Sequence, residues 1–419
     1  MQNAKCKVQK GPRVRLLHFA FCIALALIAK LCVRRDTGHL ERILLIKPDH
    51  LGDLLLATPA LTALRQSHPE ARITALVGPW SGRMWQGNPS LDALIDLPFP
   101  GFERTPPGRR PSSIVHRLAA LLHPYLLLLK YALLLRRGRY DAALLLRDDH
   151  WWGAALAALA GIPRRIGHAH PLCAPLLTTA LPYDPHEHVT RQALGVVQAL
   201  QADRRPTTDD RPSAIGYRLS AIGYHHPSSS FHPTSAEHAW ADEWLASQLG
   251  PGERLVVIHP GTGGSAKHWL PERWASVADA LAATPGARLL LTGGPSEAPL
   301  VAQVAALMQS PALTLAGQTS VGQLAALLGR AALVLGVDSG PLHLAVSQGA
   351  PSVHLFGPSD QARFAPWGDP QRHRVLRAGL FCSPCGVFDA CPRGTIGPEC
   401  MAAISVGEVV AAARQLLDA

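Results

Sequence analysis

The sequence has no disulfide framework, no dinucleotide-binding glycine fingerprint and little apolar run of membrane-spanning length, and each absence removes a class of protein. Residues 19–29 form an uninterrupted apolar stretch of eleven, whereas a spanning helix needs about 20. The stretch lacks a small-x-small cleavage site and has positive charge on both sides, unlike a cleaved export signal. Of eight cysteines, Cys6, Cys22, Cys32 and Cys173 are scattered and Cys382, Cys385, Cys391 and Cys400 cluster near the end. In a chain of 419 residues that usage favours a reducing, cytoplasmic compartment. No GxGxxG follows a strand and no P-loop spacing occurs, so neither nucleotide fingerprint is supported. Glycine and proline number 36 each, and 47% of residues are hydrophobic, which excludes collagen and whole-chain disorder.

What is present suggests two or three domains. The net charge is +10, and residues 1–40 hold eight Lys or Arg against the single acid Asp36, so this segment alone carries +7. A nucleic-acid binder would spread its basic excess over a folded face, so no nucleic-acid partner is expected. A basic, apolar N-terminus points instead to an anionic membrane surface. We expect residues 1–40 to anchor the chain on a membrane rather than cross it, with a span or an unattached tail as the alternatives. A second greasy stretch, LAALLHPYLLLLKYALLL at 118–135, lies between Arg109, Arg110, Arg117 and Arg136, Arg137, Arg139. It reads either as a helix buried on a sheet or as a membrane-facing patch, and Pro124 should kink it.

From residue 42 onward, apolar strands alternate with helical segments. Strands are expected over 42–47, 72–77, 142–146 and 165–167, with helices over 54–67 and 151–160. A second series puts strands over 255–259, 288–292, 313–316, 333–337 and 352–356, with helices over 272–283, 297–309, 321–330 and 342–348. Short apolar strands separated by helices indicate parallel sheets covered on both faces. Between the series lies a stretch rich in Pro, Ser, His and Asp, in which SAIGYRL (213–219) is followed at once by SAIGYHH (220–226). An exposed linker absorbs such a duplication. The expected organisation is an N-terminal segment 1–40, an α/β domain 41–202, a linker 203–235 and a second α/β domain 236–419. Both domains are doubly wound and Rossmann-like, and they face each other across a cleft.

Ligands of open α/β sheets bind beyond the carboxyl ends of the strands, where three loops stand out. In KPDHLGD (47–53), Gly52 permits a tight turn and Asp53 opens the next helix. Asp53 either caps that helix or takes a proton from an acceptor hydroxyl. In HPGTGGSAKHW (259–269), Thr262, Gly263, Gly264 and Ser265 offer amides and hydroxyls and Lys267 an ammonium, a set suited to phosphate. In VDSGPLHLA (337–345), a strand runs through Asp338, Ser339 and Gly340 into a helix whose positive end forms an anion site. His343 in its first turn is either a packed histidine or a ligand contact. Glu297, after GGP, is either a favourable first-turn acid or a carboxylate for ribose hydroxyls. Asp148 and Asp149 suggest a metal-diphosphate site, but nothing nearby in sequence completes a ligand set. The terminal cysteines, spaced C-x₂-C-x₅-C-x₈-C, could hold a structural zinc or remain reduced thiols.

Taken together and in this order, LLIKPDHLGDLLLATPALTAL, HPGTGGSAKHW, TGGPSE and VDSGPLHLA resemble the heptosyltransferases of glycosyltransferase family nine over residues 41–419. The resemblance implies a GT-B fold, with the acceptor on the first domain and the nucleotide-sugar on the second. It also implies inverting transfer without a metal or other cofactor, commonly of heptose from ADP-heptose to a lipopolysaccharide-core or related glycolipid at the cytoplasmic face of the inner membrane. By the same resemblance, Asp53 is the general base and Lys267 the diphosphate-binding lysine. Thr262 and Gly263 fall at the phosphate loop and Glu297 at the ribose. Asp338, Ser339, Gly340 and His343 match the nucleotide-sugar motif. A sugar-nucleotide epimerase of the same fold and a non-catalytic sugar-nucleotide binder are the competing readings.

Overall fold

The computed structural model describes residues 33–34, 36, 38, 40–102, 114–202, 228–394 and 398–419, with side chains in the helix at 114–137 described from Leu122. The expected anchor around 19–29 and the duplicated heptapeptide at 213–226 lie outside the described residues. Two six-stranded, all-parallel sheets organise the remainder. The first contains β1 (Arg42–Lys47), β2 (Arg72–Val77), β3 (Ala93–Asp96), β4 (Ala142–Leu145), β5 (Arg164–His168) and β6 (Thr179–Leu181), in the order β3-β2-β1-β4-β5-β6. The second contains β7 (Arg254–His259), β8 (Ala287–Leu291), β9 (Leu313–Thr314), β10 (Leu333–Val337), β11 (Ser352–Leu355) and β12 (His373–Leu376), in the order β12-β11-β10-β7-β8-β9. Counted from its own first strand, each sheet has the doubly wound order 3-2-1-4-5-6, whose switch point lies between strands one and four.

The strands follow from their sequences. RILLIK, RITALV and RLVVIH each begin on an exposed arginine and continue as five buried residues, the pattern of a strand covered on both faces. The missed strands β3, β6 and β12 are sheet edges, and they are short and partly exposed, so their apolar signal is weak; β9, also an edge, falls within the expected 313–316.

The helices of the first domain are α1 (Leu51–Ser67), α2 (Ile114–Arg137), α3 (Trp151–Leu159) and α4 (Val189–Ala202). Those that follow are α5 (Ser235–Gln248), α6 (Pro271–Ala282), α7 (Ala298–Leu307), α8 (Val321–Leu328), α9 (Gly340–Ser347), α10 (Gln361–Phe364), α11 (Glu399–Ala402) and α12 (Val406–Leu417). Helix α2 runs through Pro124 without ending there. One side of it bears out the buried-helix reading of the greasy stretch, and the other leaves leucines exposed. Leu128, Ala132 and Leu135 are buried, while Leu122, Leu126, Leu129, Leu133 and Leu134 are 49–68% exposed. A single buried apolar cluster joins Leu54, Leu55 and Leu61 of α1 to Leu342, Leu344 and Ala345 of α9. The first helix of one sheet and the fourth-strand helix of the other therefore pack together, which sets the two switch points face to face.

Candidate active site

The approach of α1 and α9 is closest at two glycines. A Cβ on Gly52 would stand 3.5 Å from the Cα of Gly340 and 3.2 Å from Cδ2 of His343. One on Gly340 would stand 3.3 Å from the Cβ of Leu51. The two backbones pass close together there, and a side chain at either glycine would press on the facing helix by a few tenths of an ångström.

Asp53 follows Gly52 in the first turn of α1. The N-cap position belongs to His50, which makes no side-chain capping bond. Only 9% of Asp53 is exposed. Burial, and after it the charge of Asp49, pushes its carboxyl up from 3.8 to about 6, although Lys47, Arg147 and His343 pull the other way. A carboxylic acid that titrates near neutrality beside a cleft is suited to general-base work.

Beneath Asp53, the carboxyl ends of β1 and β4 carry an ion network that the sequence motifs did not reveal. Lys47 Nζ lies 2.9 Å from Asp49 Oδ2 and donates to the carbonyl of Leu146 at 3.0 Å. Arg147 pairs with Asp49 and, through Nε at 2.5 Å, with Asp149. Burial works against ionisation of Asp49, but Arg147 and Lys47 outweigh it and hold the carboxyl well below the usual range. Asp149 thus serves Arg147, and Asp148 lies against the Tyr183 hydroxyl. Among the described residues no group of three or more His, Cys, Asp or Glu is placed to hold a metal ion. The one available signal was positional, since Lys47 and Arg147 are charges ending apolar strands at the ligand-binding edge. His150 is buried beside Phe99 and Phe102, and burial followed by the Arg147 charge lowers it to about 3, so it stays neutral.

Across the cleft, Lys267 Nζ donates to the Asp338 carbonyl at 2.5 Å and to its Oδ2 at 3.2 Å. Asp338 Oδ1 lies 3.5 Å from His343 Nε2. Burial opposes the Asp338 charge, yet Lys267 and His343 keep the carboxyl strongly acidic. Ser339 is the N-cap of α9 but makes no capping bond. Its hydroxyl, His343 Nδ1 and Thr262 Oγ1 are buried without hydrogen-bond partners. Gly263 is exposed in the loop after β7. Glu297 accepts from the Gly294 amide at 2.7 Å and lies 3.4 Å from His259 Nε2. Although burial opposes it, those contacts keep its carboxyl below its ordinary value. A Cβ on Gly261 would stand 2.2 Å from the Glu297 carboxyl carbon, so a larger residue there would displace the Glu297 carboxylate.

The structure therefore brings Asp53, His343, Gly340, Ser339, Asp338 and Lys267 to one cleft, with Thr262, Gly263 and Glu297 on the adjoining β7 and β8 loops. Cys382, Cys385, Cys391 and Cys400 are partly buried and form no disulfide with one another. The loop that holds Lys267 is braced by the segment between the first two and last two of these, because the Ala266 amide donates to the Phe388 carbonyl at 2.8 Å.

The chain and its fold are similar to known proteins. The chain is 28% identical to lipopolysaccharide heptosyltransferase 3 of Escherichia coli over 328 residues, covering 76% of this chain and 84% of that protein. The crystal structure of a glycosyl transferase family 9 protein from Veillonella parvula superposes with a TM-score of 0.69 at 24% identity, covering 90% of this chain and 97% of the other. The E. coli ADP-heptose LPS heptosyltransferase II superposes with a TM-score of 0.66 at 19% identity, over 90% and 98% of the two chains. Both matches show the GT-B fold. The sequence signature of glycosyltransferase family 9 (heptosyltransferase) matches residues 128–388, so the chain is a glycosyltransferase and belongs to that family.

Proposed function

We propose that this heptosyltransferase-like enzyme moves heptose from ADP-heptose to a lipopolysaccharide-core or related glycolipid acceptor, with inversion and without a metal ion. The observation that carries the proposal is Asp53, a buried acid raised to about 6 at the place where the helices from the two switch points touch. The acceptor hydroxyl would lie against Asp53, which takes its proton as the oxygen attacks the anomeric carbon. General-base assistance of this kind contributes about 10²–10⁴ in rate. The nucleotide diphosphate departs from the opposite face. Lys267 and the uncapped amino end of α9 meet its developing charge, the electrostatic task that a metal performs elsewhere. Thr262 and Gly263 extend that cradle, and Glu297 is placed for ribose hydroxyls. Asp338 and His343 hold Lys267 and the helix end in position.

The names of the relatives, which specify heptose, ADP-heptose and lipopolysaccharide, support the choice of donor and acceptor. Such an acceptor places the enzyme at the cytoplasmic face of the inner membrane. Asp53→Asn should abolish transfer and leave ADP affinity nearly unchanged; retained turnover would remove Asp53 from the mechanism. Turnover should persist in EDTA, and ADP-heptose should stabilise the protein more than uridine or guanosine sugars. A preference for either of those would overturn the donor assignment.

A further inference from the structure

Helix α2 carries an apolar stripe facing water. Leu122, Leu126, Leu129 and Leu133 are spaced i, i+4, i+7 and i+11, which at 3.6 residues per turn places them within a sector of about 60°. They are 54–68% exposed. Leu128, Ala132 and Leu135, on the other side of the helix, are buried against the domain. Among the described residues, the outer apolar face of this helix has no apolar partner.

Charge identifies the partner. Residues 104–140 contain eight Lys or Arg and no acid. Together with residues 1–40 they hold sixteen of the forty basic side chains and only one of the thirty acidic ones. The rest of the chain is therefore net negative, and the positive charge is gathered on two segments that are both rich in leucine and alanine. Exposed Lys130, Arg136 and Arg137 flank the leucine stripe. A second copy of the chain docked stripe to stripe would bring these cations together; a surface of lipid phosphates would neutralise them. Basic side chains bordering an apolar face keep their heads in water while their stems lie along hydrocarbon. Among the described residues no helix is long and apolar enough to cross a membrane, so the contact would lie in the plane of the interface.

We propose that the outer face of α2 docks on an anionic lipid bilayer. Trp152 in the first turn of α3 donates to the Pro124 carbonyl at 2.9 Å, and α3 begins just beyond the carboxyl end of β4. The amino-terminal half of α2 thus lies at the edge of the sheet that carries Asp53, on the side from which a lipid-linked acceptor would be presented. That benefit rests on the proposed acceptor, but docking itself does not.

The test is flotation of the full chain with phosphatidylcholine vesicles, with and without 30% phosphatidylglycerol (a chosen composition of about one anionic lipid in three). Wild type should float with the anionic vesicles, and less so in high salt. Leu126→Ser/Leu129→Ser/Leu133→Ser and, separately, Arg136→Glu/Arg137→Glu should each weaken binding about tenfold or more. Both variants should keep the wild-type Tm and full transfer to a delipidated, soluble acceptor. If both bind anionic vesicles as wild type does, α2 is not the docking face and the proposal fails. It also fails if the leucine variant abolishes self-association while vesicle binding persists. Loss of transfer to the soluble acceptor in Asp53→Asn alone, with vesicle binding intact, separates this surface from the catalytic reading.

Discussion

The base role proposed for Asp53 makes the pH dependence of transfer its direct readout, because a general base works only while ionised. With its carboxyl pushed to about 6, Asp53 is about 90% ionised at pH 7 and about 10% at pH 5, so kcat/KM should fall about tenfold between them. Measuring kcat/KM for heptose transfer from pH 5 to 8.5 should therefore show an acidic limb centred near 6. Asp49→Asn should move that limb downward, since it removes the carboxylate that raises Asp53 and frees Arg147 and Lys47 to act on it. The same displacement has a stability consequence. The rise from 3.8 to about 6 corresponds to about 3 kcal/mol against the ionised form in the folded state. Because the folded value lies above the unfolded one, that cost is absent below about pH 4 and fully present above about pH 6. Asp53→Asn should then be more stable than wild type at pH 8, with the advantage shrinking to nothing as the pH falls through 6 toward 4. Parallel thermal unfolding of the two proteins across this range checks it. An acidic limb near 4, together with an Asn variant no more stable at pH 8, would refute the idea that burial and Asp49 set this acid.

Lys267→Ala should raise the Kd for ADP about 10- to 100-fold, the worth of one charge-assisted contact, in calorimetric titration. Gly52→Ala places a Cβ 3.2 Å from His343 Cδ2 and should separate α1 from α9. Its kcat should drop tenfold or more, in line with the ~10²-fold effects of a misplaced group, with ADP affinity unchanged in steady-state and binding assays. Ser405 caps α12 by accepting from the Glu408 amide at 3.2 Å. Ser405→Ala should cost about 1 kcal/mol in denaturant unfolding and leave kcat/KM untouched.

The frame of this fold was legible because its central strands are almost purely apolar. β1, β2, β7 and β10 fall at or within one residue of where their sequences place them, since a strand buried on both faces tolerates little else. Of the edge strands, β3, β6 and β12 were not legible, whereas β9 was. β3 (ALID) and β12 (HRVL) are partly exposed, so their residues are under weaker constraint. The three loops of the cleft were readable for the same topological reason: glycine, acid and lysine interrupt apolar runs at the carboxyl ends. The network of Lys47, Asp49, Arg147 and Asp149 escaped notice because its linking pair, Arg147 and Asp49, is 98 residues apart and meets only when β4 pairs with β1. Lys47 and Arg147 look like strand ends in one dimension, and Asp149 looks like half of a metal site. Lys47 meets Asp49 and Arg147 meets Asp149 two residues along the chain, but only pairing in the sheet joins these pairs through Arg147 and Asp49.

Helix capping differs between three helices of the scaffold and those that leave the switch points. Away from the cleft, α5, α8 and α12 each begin with a complete capping box, on Thr234 and Glu237, Ser320 and Gln323, and Ser405 and Glu408. The helices that leave the switch points are different. α1, α3, α6 and α9 begin at His50, His150, Leu270 and Ser339, none of which makes a side-chain capping bond. Ser339 is the telling case, because serine is among the best capping residues and its hydroxyl is nevertheless buried without a partner. Helix ends with orphan amides are destabilising unless something supplies acceptors, and a diphosphate supplies several at once. With the raised carboxyl of Asp53, the fold concentrates its unfavourable terms in the region where donor and acceptor would relieve them. Ligand binding should therefore stabilise this protein by more than contact area alone accounts for, and the gain should shrink when α9 is given a capping bond of its own.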